Sequence, residues 1–280
     1  MLLSRLPLAA LYAVSSIVYF LAFHITRYRE HVIHAQLEKV FPDAPAAARR
    51  EIHRQFIKNY CDVMVEILKS WSMPAAALRA RVRVENLVLA RTYLESGQSV
   101  LFVTSHICNW EWLLHGMALQ LGHPLDAAYK PIANEFGERM MLRMRSRFGA
   151  RLVPAKDVLA DLLRRRQVVH ALAMNADQTP APDERHRWTQ FLGHDTAFYL
   201  GAEQIARAVR LPIIYTAMRR ERRGRYAVEL SLLWDGREQT PPGELTDRYA
   251  RACEADVRRS PADWLWTYRR WRYPKPLYES

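Results

Sequence analysis

The chain is poor in cysteine: only Cys61, Cys108 and Cys253 occur in 280 residues, an odd number and widely spaced. No C-x-x-C pair is present, which argues against a disulfide framework or a zinc site and fits a reducing compartment. Ten glycines form neither a Walker-type loop nor a G-x-G-x-x-G turn, so nucleotide use has no support. His115, His123, His170 and His186 lack metal-ligand spacing, and the expectation is no metal and no cofactor. Acidic residues are the scarcer charge, 29 against 41 Lys and Arg, for a net charge of +12. That surplus suits an anionic membrane or an acidic protein. It would also permit nucleic acid, but no nucleic-acid signature accompanies it.

What the chain does have begins with an apolar run. Leu6 to Ile25 carries no Lys, Arg, Asp or Glu, and about twenty such residues can cross a bilayer. Arg5 precedes it, while Arg27, Arg29 and Lys39 follow, which places the bulk of the protein in the cytoplasm by the positive-inside tendency. No small-residue cleavage site follows the run, so an uncleaved anchor over residues 1–27 is expected; a helix lying in the interface is the rival. Residues 28–280 read as one α/β domain. Ile52, Phe56, Ile57, Tyr60, Val63, Met64, Ile67 and Leu68 make a helical stripe between Pro45 and Pro74, with Tyr60 and Glu66 read as packing and surface. Strands then alternate with helices, including strands at 126–129, 151–154 and 168–174. The pair 213–217 and 226–233, joined by an Arg-rich turn at Gly224, has the look of an antiparallel hairpin. Helices are expected at 245–258 and 263–272. The fold class is therefore α/β, a central mixed sheet flanked by helices, with an N-terminal membrane-anchor helix.

The most informative stretch runs from Val100 to Trp112. The β-branched, apolar residues from Val100 predict a buried strand ending near Ser105. His106 follows at once, and Glu111 stands at the front of an apolar helical segment. Residues five apart on one helix are rotated by roughly 140°, so the two meet only if His106 sits in the strand-to-helix turn and Glu111 in the first helical turn. Asn109 is the natural N-cap. Glu111 could then hold one imidazole nitrogen and leave the other as a general base. A surface histidine beside a capping glutamate fits the same letters. Cys108, inside the segment, reads as a small buried filler.

Four blocks in order carry a resemblance. Ser105-His106 through Asn109-Trp110-Glu111-Trp112 resembles the H-x-x-x-x-[DE] block of the lysophospholipid acyltransferase superfamily, and specifically of the lipid A biosynthesis lauroyl/myristoyl acyltransferases of Gram-negative bacteria. Tyr129-Lys130-Pro131 to Asn134 is similar to their Y-[RK]-P-x-x-N block. Ala176-Asp177-Gln178, Phe191-Leu192-Gly193 and Thr196-Ala197-Phe198 are similar to A-D-Q, F-x-G and T-A-F. Pro261 to Trp266 with Arg269-Arg270 resembles the P-x-x-W-x-W and R-R tail.

The resemblance implies transfer of a fatty acyl chain from an acyl-carrier-protein thioester to a hydroxyl of a lipid A precursor, at the cytoplasmic face of a bacterial inner membrane with its anionic lipids. His106 would be the base, Glu111 its orienting carboxylate, and the substrate oxygen the nucleophile, so no acyl-enzyme is expected. Lys130 stands where the family usually has Arg and loses bidentate geometry. Asn134, Arg143 and Arg147 could hold acceptor phosphates, and Asp177 and Gln178 could position the acceptor. A relative acting on another lipid acceptor, and a non-catalytic protein binding anionic lipid, are the alternatives. The aromatic, Arg-rich tail suits either a membrane interface or packing against the sheet.

Overall fold

The structure is a computed structural model and describes residues 2–275; the last five residues of the expected 28–280 domain lie outside them. The chain opens with α1 (Leu8–Phe20), whose helix continues as a π-helical stretch over Leu21–Ile25. Next come α2 (Glu30–Val40), α3 (Ala46–Lys69) and α4 (Ala75–Arg79). The remaining elements are β1 (Val82–Val84), α5 (Val88–Glu95), β2 (Val100–Thr104), α6 (Trp110–Gln120), β3 (Leu125–Tyr129), α7 (Glu135–Arg145), β4 (Arg151–Pro154), α8 (Val158–Arg164) and β5 (Ala171–Asn175). They continue with β6 (His186–Phe191), β7 (His194–Tyr199), α9 (Gly201–Val209), β8 (Ile213–Arg222), β9 (Arg225–Trp234) and α10 (Glu244–Arg259).

Seven strands form one sheet in the order β1-β9-β8-β2-β5-β3-β4. Every pairing in it is parallel except the β8–β9 hairpin, so the sheet is mixed, as expected. β2 lies at its centre, and all five of its residues are buried. Leu101 and Val103 pack into one core with Phe56, Ile205 and Tyr249, while Val100 and Phe102 pack into a second with Leu94, Trp112 and Leu113. Burial on both faces is why the strand reads as a continuous apolar run, and each side chain so buried stabilises the fold by about 1.5–3 kcal/mol. Gly116 lets α6 settle onto β1: a Cβ there would lie 2.5 Å from Val82 Cγ1.

The helix α1 lies antiparallel along α3. From one end to the other, Lys69 Nζ donates to the carbonyls of Ser4 and Leu6, the Tyr12 hydroxyl donates to Glu66, Ser15 donates to Asp62, and Phe23 packs on His53. Gly224, in the β8–β9 turn with φ +69°, sits under the Tyr12 hydroxyl, where a Cβ would clash.

Two elements differ from the sequence reading. Residues 263–272 do not form a helix; a single 3₁₀ turn over Pro261–Asp263 is followed by irregular chain. Trp264 and Trp266, two residues apart, are both buried, an extended rather than a helical period. The β6–β7 hairpin was not anticipated, because only its Phe191 is buried along β6 and the strand shows no apolar alternation. Glu66, read as packing or surface, is 0% exposed.

Candidate active site

β2 and β5 are parallel neighbours, and their last residues Thr104 and Asn175 are register partners. Two residues beyond each strand stand His106 and Asp177. Sheet register thus brings together two groups 71 positions apart, at the carboxyl ends of adjacent central strands, where ligands gather in open α/β sheets. Asp177 Oδ1 lies 2.6 Å from His106 Nδ1, and Oδ2 accepts the His106 backbone N–H at 2.9 Å and the Trp264 Nε1–H at 3.1 Å. Asp177 is buried. Burial by itself would raise its pKa, but the electrostatic interaction with His106 and these hydrogen bonds outweigh that and hold it below the ordinary aspartate value. The carboxylate is therefore an acceptor for three donors, which assigns the Nδ1–H tautomer to His106. The other nitrogen, Nε2, faces Asn175 Nδ2 at 3.2 Å and keeps its lone pair.

The expected Glu111–His106 bond is absent. Glu111 is buried at the start of α6, and both its oxygens are taken by Arg145 from α7: Nε reaches Oε1 at 3.1 Å and Oε2 at 2.9 Å, and Nη2 reaches Oε1 at 2.5 Å. Asn109 does cap α6, accepting the Trp112 N–H at 2.9 Å. The cap is itself oriented from below. Its Nδ2 donates to Glu66, which also accepts from Tyr12 and Tyr226, and burial pushes the Glu66 carboxyl above its ordinary pKa. Beyond His106, the Ile107–Trp264 bridge, the Cys108 N–H to Asp263 bond and the Leu265 N–H to His106 bond pin the turn to the C-terminal tail. Cys108 takes φ +52° there and is buried, its thiol pushed well up by burial, which makes it a poor nucleophile.

His106 opens on a cavity of about 690 Å³, within the range of ligand pockets. Leu113, Leu114, Met117, Leu125, Leu152 and Ile205 supply much of an apolar wall, and Glu111, Lys130, Arg145, Asn175 and Gln178 are among its polar groups. The other expected ligand-binding residues divide. Lys130 lines the cavity and donates to the Tyr199 hydroxyl at 2.7 Å and to Glu184 at 3.2 Å. Asn134 is the N-cap of α7, accepting the Gly137 N–H at 2.7 Å, and does not line the cavity. Arg147 clamps the carbonyls of Ser70 and Met73, and Arg143 is exposed outside the cavity lining. The arginine that does line it is Arg145, which the sequence reading passed over. Trp264, Trp266 and Arg270 are buried, so these tail residues pack rather than meet a membrane.

Against this geometry the comparisons are direct. Residues 1–273 match the family model for the bacterial lipid A biosynthesis acyltransferases. The lipid A biosynthesis palmitoleoyltransferase of Escherichia coli (strain K12) is 22% identical over 286 residues, spanning 99% of this chain and 89% of that protein. The lipid A biosynthesis acyltransferase of Shigella flexneri is similar to the same extent, 22% over 99% of this chain. A match over nearly all of the chain, on a mixed sheet that sets a paired histidine over an apolar cavity, shows that this protein belongs to the bacterial lipid A biosynthesis acyltransferase family.

Proposed function

We propose that the protein transfers a fatty acyl chain from an acyl-carrier-protein thioester to a hydroxyl of a lipid A precursor, with His106 Nε2 as the base and Asp177 as the group that positions and supports it. The observation that carries this reading is the His106–Asp177 pair opening on a mainly apolar cavity. The acceptor hydroxyl attacks the thioester carbonyl as Nε2 takes its proton. The buried carboxylate stabilises the imidazolium that forms without itself being protonated. Collapse of the tetrahedral intermediate breaks the C–S bond, and the departing thiolate recovers the proton from Nε2. No protein nucleophile takes part. Lys130, Arg145 and Lys156 are the Lys and Arg side chains in the cavity lining that could meet a phosphorylated acceptor. The net positive charge favours an acidic carrier protein and an anionic membrane surface.

Purified protein incubated with a series of acyl-carrier-protein thioesters and a tetra-acylated lipid A precursor is expected to add one acyl mass by intact-lipid mass spectrometry, and His106→Ala is expected to add none. Thioester consumed with the lipid unmodified would point instead to a different lipid acceptor. Leu114, half-buried on the cavity wall, offers a test of where the chain sits. Filling the space with Leu114→Trp is expected to shift the preferred donor to shorter chains, since one methylene in an apolar pocket is worth about 1–3 kcal/mol. An unchanged chain-length profile would remove this cavity as the acyl site.

We further infer that α1 lies in the interface of the inner membrane, on its cytoplasmic face, and does not cross the bilayer. Its hydrogen bonds tie it to Asp62, Glu66 and Lys69 of α3, and Phe23 packs further along on His53; α3 also exposes Arg50, Glu51 and Lys58, and a spanning α1 would drag these charges into hydrocarbon. Its outer face is apolar, with Ile17, Phe20, Leu21 and Ile25 each about half exposed or more. That pattern suits an in-plane helix. A cysteine placed at Leu3 and one at Tyr28 are both expected to react with an impermeant maleimide in inside-out vesicles and in neither case in right-side-out vesicles. Labelling of the two from opposite sides would establish a span.

A further inference from the structure

We propose that Glu30, His34 and His53 form a binding site for a divalent transition-metal ion of the zinc type, at the point where the chain leaves the membrane-facing helix. Glu30 and His34 stand four residues apart on one face of α2, and His53 comes from the facing turn of α3. His34 Nε2 lies 3.0 Å from His53 Nδ1 and 3.9 Å from Glu30 Oε1, and the ligand atoms all lie within 4.8 Å of one another. Around a tetrahedral zinc with bonds of ~2.0 Å, ligand atoms sit about 3.3 Å apart. The longest separation must close by about 1.5 Å, shared between two side chains, and the two imidazole nitrogens must part slightly to reach that size.

Two imidazole nitrogens facing each other at 3.0 Å share at most one proton, so a lone pair is available between them. His53 is 2% exposed, so its Nδ1 is held against His34 rather than turned to solvent. Phe23 packs against its ring and fixes its orientation. The competing cations are Arg27, whose Nε lies 3.7 Å from Glu30 Oε2, and Arg50. Arg27 engages the other carboxylate oxygen and leaves Oε1 towards the imidazoles. Two nitrogens and one carboxylate oxygen, with His34 and Glu30 still 40% and 37% exposed, suit a borderline metal that keeps a solvent ligand; calcium and magnesium want oxygen alone. A bound ion would staple α2 to α3. The next turn of α2 carries Gln36, whose amide holds the carbonyls of Trp266 and Tyr268 and the Arg270 N–H, so the staple would also steady the tail that packs on Asp177.

The test uses untagged, full-length, metal-stripped protein in detergent. Zinc is titrated against a chromogenic chelator, and cobalt(II) is followed by its visible absorption. One equivalent of zinc and the absorption of a four-coordinate nitrogen–oxygen cobalt site are expected. His34→Ala and His53→Ala should each weaken binding beyond the roughly 10–100-fold that loss of an outer-shell partner costs. Glu30→Gln should weaken it less. His34 is half-exposed, so His34→Ala decides the matter if the His53 variant fails to fold. Zinc bound equally by wild type and His34→Ala, or a wild type unable to compete with the chelator, would overturn the site and leave a plain hydrogen bond between the two rings.

Discussion

Asp177→Asn is expected to lower kcat for acyl transfer by about 10³–10⁴-fold while the protein stays folded. Three donors converge on this carboxylate: the His106 N–H, the His106 Nδ1–H and the Trp264 Nε1–H. An amide has one oxygen, so its NH₂ must face one of them. The arrangement that relieves the clash rotates the proton on the imidazole: Asn donates to Nδ1, and Nε2 becomes N–H. His106 then remains in place with its lone pair pointed away from the substrate. Single-turnover transfer with a saturating thioester, beside circular dichroism of the variant, separates this from a folding defect. An Asp177→Asn enzyme within tenfold of wild type would sink the assignment of Asp177 as the positioning group.

The second large effect belongs to Glu111, and it is an effect on stability. Removing one partner of a buried ion pair leaves the other charge unpaired and typically costs 3–5 kcal/mol, so about 3 kcal/mol is expected for Glu111→Ala. Glu111 is buried and Arg145 only a quarter exposed, so water screens the pair little. The shift is read as a lower urea midpoint at an unchanged slope. Arg145→Met in the same chain should return much of the loss, because the stranded guanidinium is then gone. Activity falls too, since the pair helps wall the cavity, but the double variant discriminates. If Glu111→Ala keeps wild-type stability and loses activity as completely as His106→Ala, Glu111 acts on the reacting groups after all.

These two residues also show where the chain was legible and where it was not. The strand before His106 could be read directly, because a strand buried on both faces must be apolar throughout. The Asn109 cap was equally plain, since capping is decided within three residues. The partner of His106 was not. Glu111 is near in sequence, but its side chain is drawn to an arginine on another helix. Asp177 reaches His106 only through the pairing of β2 with β5, and strand order does not appear in a local pattern. Knowing the two strands as parallel neighbours in register would have been enough. The tail was misread for a related reason. Trp264 and Trp266 fill the core beside Phe191 and Phe41, and tertiary packing overrode the apparent helical signal. Arg145 was missed because Arg143 and Arg147 share the i, i+4 spacing of one helix face while Arg145, two residues from each, falls on the opposite face, the one that meets Glu111.

The junction at Glu66 carries a practical consequence for anyone preparing this enzyme. One carboxylate is shared by Tyr12 of the apolar N-terminal helix, Tyr226 of the sheet and Asn109, the cap of the helix that follows His106. Trimming the first 27 residues is the obvious route to a detergent-free preparation. It would also strip a donor from a buried acid, uncover Asp62 and Lys69, and loosen the cap that aims α6. Ease of handling and catalytic competence thus pull in opposite directions in this chain, and the better soluble form is one that keeps α1 and exchanges its outward Ile17 and Phe20 for polar residues.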